Sequence, residues 1–159
     1  MMNVRFITLG TLKEGYLREA AAEYEKRLGA FCRFENIQLK EERLPDDPSD
    51  NEIRAALAKE SERILAEIPQ RSYCVAMCVE GKQLSSEELA QRIESVANET
   101  ANICFIIGSS FGLADAVKQR ADMRLSVSKL TFPHQLMRVV LLEAVYRAFN
   151  IQRGTRYHK

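Results

Sequence analysis

No run of the 159 residues approaches the ~18 consecutive apolar positions that a bilayer crossing needs, so nothing in the chain marks a membrane-spanning helix. The opening Met1-Met2-Asn3-Val4-Arg5-Phe6-Ile7 is too short an apolar run for a secretory signal, and a cytoplasmic location is expected. Cysteine is sparse. Cys32, Cys74, Cys78 and Cys104 fit neither a CxxC nor a zinc spacing, so no metal site is expected. Three of the four fall in apolar, strand-like runs, where a free thiol is ordinarily reduced and buried. Internal repeats and low-complexity segments are absent, and the only linker-like stretch is Leu44-Pro-Asp-Asp-Pro48. The length suits one domain spanning residues 1–159, too short for two full enzymes.

Excess charge of one sign is also missing, since the net charge is only +1. Its distribution is uneven. From Lys118 onward nine basic residues face only Asp122 and Glu143, a net +7, while the preceding residues carry −6. A basic end on a near-neutral chain suits a partner rich in phosphate.

What the chain does have is alternation. Asn3 to Leu9, Arg33 to Leu39, Tyr73 to Val79, Ile103 to Ile107 and Met123 to Val127 predict strands. Between them the spacing predicts helices over Glu14–Leu28, from Ser49-x-x-Glu52 to Pro69, from Ser85-x-x-Glu88, from Leu113, and a long one from Pro133. The two Ser-x-x-Glu sequences are capping boxes. Gly81 is expected to break the third strand, and Thr131 is a candidate N-cap for the last helix. Continuously apolar strands alternating with helices imply a parallel α/β sheet covered on both faces, a three-layer sandwich. Ligands in such sheets gather at the strands' carboxyl ends.

Three features at those ends carry chemistry. Phe105-Ile-Ile-Gly-Ser-Ser-Phe-Gly112 is a Gly/Ser turn after a buried strand, where backbone can approach a ligand closely. It lacks the Gly-Lys-Ser/Thr of a phosphate-binding loop and the spacing of a dinucleotide fingerprint. Next comes Ser126-Val-Ser-Lys-Leu-Thr-Phe-Pro133, followed by a helix apolar nearly all round, which is either interior or packed on a second subunit. Glu143 and Arg147 on it can pair at i, i+4. Last is the tail through Arg153-Gly-Thr-Arg-Tyr-His-Lys159. Its Arg and Lys residues can neutralise phosphates while Tyr157 and His158 can stack on bases, although chain ends commonly fray.

Ser128-Lys-Leu-Thr-Phe-Pro-His-Gln-Leu-Met-Arg-Val139, Leu142-Glu-Ala-Val-Tyr-Arg-Ala148 and Gly154-Thr-Arg-Tyr-His-Lys159 resemble the ribosomal RNA large subunit methyltransferase H family of the SPOUT superfamily. Val4-Arg-Phe-Ile-Thr-Leu-Gly10 and Glu23-Tyr-Glu-Lys-Arg-Leu28 extend the likeness along the chain. The resemblance implies a C-terminal deep trefoil knot and a homodimer. It also implies transfer of a methyl group from S-adenosyl-L-methionine (AdoMet) to N3 of a pseudouridine in helix 69 of 23S rRNA, in assembled ribosomes. The donor would lie on Met77, Gly108, Val127, Ser128, Lys129, Leu130, Thr131 and Phe132. Two positions depart from the pattern: Ser109 stands where the second of two glycines is usual, and Ala144 where glutamine is common.

Such a transfer needs little covalent help; the donor must be held with its methyl in line with the attacking nitrogen. The acceptor N3–H is mostly protonated at neutral pH, so a proton must be taken or shared. Of the two histidines, His134 reads as structural, whereas His158, with Tyr157 and Arg156, is the catalytic candidate contacting the base. Arg138, Arg147, Arg153, Arg156 and Lys159 are the RNA-binding candidates. Three rivals remain at this point: another RNA target, a Rossmann-like oxidoreductase using Gly108–Gly112, and a non-catalytic rRNA-binding assembly factor.

Overall fold

Neighbouring residues along a strand face opposite ways, and in the inner strands of this protein both sets are largely buried. The computed structural model describes residues 1–159. Five strands, β1 (Asn3–Leu9), β2 (Arg33–Leu39), β3 (Ser72–Gln83), β4 (Asn102–Ile106) and β5 (Met123–Ser126), alternate with five helices. The helices are α1 (Gly15–Leu28), α2 (Asp50–Glu67), α3 (Ser86–Ala97), α4 (Asp115–Arg120) and α5 (His134–Arg153). The strands form one all-parallel sheet in the order β2-β1-β4-β3-β5.

Val4, Phe6, Val75, Met77, Ile103 and Phe105 point to one face, where Leu17 of α1, Ile93 of α3 and Leu142 and Val145 of α5 cover them. Ile7, Leu9, Cys74, Ala76, Cys104 and Ile106 point the other way, under Ile64 of α2 and Val117 of α4. The result is three layers, each large apolar side chain contributing about 1.5–3 kcal/mol by leaving water. No helix is long and apolar enough to cross a membrane.

The cysteines are all free, and three are buried. Burial pushes the Cys32 thiol up to about 12. Cys74 and Cys104 are register neighbours on β3 and β4, and Asp122 seals the entry to β5 by accepting a hydrogen bond from the Cys74 amide at 2.7 Å.

Three local expectations need correction. Gly81 does not end the third strand: β3 runs through it to Gln83, with a shift of register against β5 between Met77 and Lys82. The β5 backbone comes so close there that a Cβ on Gly81 would lie 2.7 Å from the Leu125 carbonyl carbon. Strand pairing therefore overrides the break. Thr131 does not cap the last helix; Pro133 holds the N-cap position, without a side-chain cap bond. The fourth helix starts at Asp115 rather than Leu113, whose side chain is instead drawn into the core beside Val117.

Both capping boxes are formed, with Ser49 accepting from the Glu52 amide and Ser85 from the Glu88 amide, each at 3.1 Å. Replacing Ser85 by Ala should cost about 1 kcal/mol of stability. Urea unfolding will show this as a lower midpoint with unchanged slope.

Candidate functional site

Met77 within β3, Ile107 just past β4 and Leu125–Ser126 at the end of β5 lie side by side, and the segments around them enclose a cleft of about 720 Å³. Its walls include Gly108–Leu113, Val127, Ser128, Leu130–His134 and Met137. Every residue expected to hold a donor is in this wall except Lys129, which is exposed outside it.

The Gly/Ser turn is tight. A Cβ on Gly108 would sit 2.4 Å from the Gly112 carbonyl oxygen, and the Gly112 amide donates to the Ser109 carbonyl at 2.9 Å. Only glycine fits at position 108, because the turn folds back onto it. On the facing loop the Leu130 amide is already taken by the Ser128 hydroxyl at 2.9 Å, and Leu130 itself is 75% exposed. The Ser126 hydroxyl donates to the Ser128 carbonyl at 2.8 Å and shapes the same loop.

Charge is sparse in the cleft. Lys118 reaches Glu80 at 2.6 Å, and that ammonium holds the Glu80 carboxyl below its ordinary range. His134, expected to be structural, faces the cleft with Nδ1 3.5 Å from the Ser110 hydroxyl. No three His, Cys, Asp or Glu residues come together in a way that would hold a metal ion.

The tail does not fray; it doubles back onto α5. The Tyr157 ring packs edge-on against Tyr146 at 4.8 Å, and the Arg147 guanidinium covers it at 4.7 Å. The Tyr157 hydroxyl donates to Glu143 at 3.1 Å. His158 places Nε2 2.8 Å from Glu87 of α3 and Nδ1 3.1 Å from Arg147. None of these tail residues lines the cleft. At 1.5 Å per residue, Glu143 lies about 14 Å along α5 from His134, so a single chain does not bring the tail and the cleft together.

The five basic RNA candidates also separate. Arg156 and Lys159 are exposed. Arg153 lies over Phe31 at 4.5 Å, and Arg147 is paired with Glu143 at 2.6 Å. Arg138 is not a surface cation. Its side chain is 11% exposed, near Glu25 and bonded to Gln38 at 3.0 Å. Burial lowers its guanidinium pKa, partly opposed by Glu25, and its Nε has no partner.

Residues 2–158 match the family described as Predicted SPOUT methyltransferase. The chain belongs to the SPOUT methyltransferases. Within them it groups with proteins named Ribosomal RNA large subunit methyltransferase H. The one from Leuconostoc mesenteroides is 49% identical over 99% of this chain and all of its own. Those from Streptococcus thermophilus LMD-9 and Bacillus pumilus are 51% and 49% identical over the same shares. A solved structure of a probable methylase family protein from Haemophilus influenzae Rd KW20 matches the fold with a TM-score of 0.54 at 13% identity. It covers 99% of this chain and 71% of its own.

SPOUT methyltransferases use AdoMet, and the cleft suits such a donor in two respects. Its volume falls within the roughly 300–1,000 Å³ of small-molecule sites, and apolar side chains including Val127, Leu130 and Phe132 line it. The sequence placed Ser110 and Phe111 in a ligand-approach turn and Glu80 at a strand end, but named none of them, nor Lys118, as a donor-holding residue. Ser110 and Phe111 follow from Gly108 by continuity of the turn, whereas the Glu80–Lys118 pair joins β3 to α4 and leaves no local signal.

Gly108→Ala should push the turn off Gly112, destabilising the protein by about 1–3 kcal/mol, measurable by urea unfolding. The Tyr157 phenol is pushed up to about 12, first by burial and then by its bond to Glu143. Because the folded value is raised above the ordinary 10, the docking contribution is complete below pH 10 and lost as pH rises through about 12. Ultraviolet titration should show a phenolate step there that Tyr157→Phe removes.

Proposed function

We propose that the protein is an AdoMet-dependent methyltransferase acting on large-subunit ribosomal RNA, with N3 of a pseudouridine in helix 69 of 23S rRNA as the acceptor. The observation that carries this reading is the cleft. Three loops at the carboxyl ends of parallel strands meet around a glycine with no room for a side chain. The curated relatives at about half identity along the whole chain carry the RNA substrate in their names.

AdoMet, when bound, supplies an electrophilic methyl on a sulfonium. The chain's part is positional. Gly108 and the Val127–Phe132 loop would hold the adenosine through backbone groups and apolar contact, while Met77 and Met137 close the floor. A trefoil-knotted threading of these loops, which the resemblance implies, would fix them against one another.

Homodimerisation completes the site in this reading. The tail lies away from its own cleft, and α5 keeps Leu136 37% exposed with Val139 and Val140 only half-buried. Two chains paired through α5 would let the tail of one approach the cleft of the other. Arg156 and Lys159 then meet phosphates of the rRNA within the ribosome, and Tyr157 and His158 meet the target base. His158 takes the N3 proton through Nδ1 once that nitrogen parts from Arg147, with Glu87 behind Nε2. An aqueous cytoplasmic setting follows from a ribosomal substrate.

The purified protein, incubated with labelled AdoMet and ribosomes from cells lacking it, should transfer the methyl to a single mapped pseudouridine. Label on another nucleotide would replace the target, and no label would defeat the reading. Deleting Arg156–Lys159 should abolish transfer while AdoMet affinity stays nearly intact.

A further inference from the structure

Glu60 of α2 is 2% exposed, although glutamate is rarely buried without a partner. No cation faces it. Its two oxygens are divided between two segments remote in sequence: Oε1 accepts from the Ser109 hydroxyl at 2.8 Å, and Oε2 accepts from the Glu42 amide at 2.9 Å. Ser109 directly follows Gly108 and heads the turn that closes on Gly112. Glu42 belongs to the segment after β2, which Arg63 pins to α2 through the Lys40 carbonyl at 3.0 Å and Glu42 Oε1 at 3.2 Å.

Ser109, Ser110 and Phe111 form a thin wall. The main cleft lies on one side of them, and on the other is a smaller cavity of about 240 Å³ into which Glu41, Asp46 and Glu60 face. Besides its own backbone closure, the wall has two side-chain ties: Ser110 reaches His134 of α5 at 3.5 Å, and a bond across the second cavity holds Ser109. Glu60 makes that bond. The long helix carrying it is fixed to the sheet by Ile64, buried to 1%.

We infer that Glu60 is a positioning residue for the donor-binding turn, acting through Ser109, and that it ties the turn to the segment around Glu42. This rests on the reading of the cleft as the AdoMet site. Ser109, which departs from the usual glycine, is thereby the side chain through which the helix controls the wall of the cleft.

The test is the split between AdoMet KM and kcat, with ribosomes lacking the methyl group as acceptor and calorimetric titration of AdoMet into the full chain alongside. Ser109→Ala should raise the AdoMet KM about tenfold, the upper end of the worth of one hydrogen bond, with kcat per folded protein changed less than about twofold. Glu60→Gln should keep KM within about twofold of wild type, because its amide oxygen can accept from Glu42 and its NH2 can donate to Ser109. Glu60→Ala should match Ser109→Ala, and the double variant should be no worse than Glu60→Ala alone. A purely structural role would lower the folded fraction and hence kcat, leaving KM unmoved. An unchanged KM in Ser109→Ala, or Glu60→Gln as damaging as Ser109→Ala, overturns the inference even if Glu60→Ala does not fold. Failure of the wild-type chain to bind AdoMet would instead remove the donor-site reading itself.

Discussion

Parallel pairing of all five strands puts every carboxyl end on one edge of the sheet, and the rest of the molecule follows from that. Both faces are sealed by helices, so the edge is the one place where loops can meet without breaking the core. At β3, β4 and β5 the loops meet closely enough for backbone to take over from side chains. Gly108 abuts the Gly112 carbonyl, and Gly81 abuts the backbone of β5. A substitution at either position has to move main chain, which a packed interior resists.

Much of this order is written locally. The runs Tyr73–Val79 and Ile103–Ile107 are apolar on both faces because both faces are covered, and the Ser-x-x-Glu pairs at Ser49 and Ser85 announce their helices. The strand order is not written there, since periodicity says nothing about neighbours. Gly81 reads as a breaker until the approach of Arg124 and Leu125 is seen. Arg138 reads as one more basic residue of a basic end, yet contact with Glu25 and Gln38 takes it inside. Glu60 is the hardest case. Within Lys59-Glu60-Ser61-Glu62 it looks like part of a solvated face, and its burial is set by Glu42 and Ser109, 18 and 49 residues away.

The donor loops and the basic tail were legible in different ways. Charge segregation pointed to a phosphate-rich partner from the residues alone. The methyl chemistry came through family likeness, because a cleft lined largely by apolar side chains and backbone leaves few chemical groups to read. It holds one clear ion pair, Lys118 with Glu80.

Helix α5 joins these two halves of the chemistry and keeps them apart. Its first turn, with His134 and Met137, borders the cleft. Its second half carries Glu143, Tyr146 and Arg147, which bind the returning tail. A rigid helix cannot shorten, so Tyr157 and His158 stay where α5 and Glu87 hold them. Releasing the tail to reach its own cleft would sacrifice the Tyr157–Glu143 bond, the aromatic contact with Tyr146 and the His158–Glu87 pair together. Pairing two copies through the same helix costs none of these. In the proposed dimer the half-exposed apolar stripe from Leu136 to Val140 would gain cover, and a docked tail would be a preorganised part of its neighbour's site. Order in the tail is therefore what the proposed shared site requires.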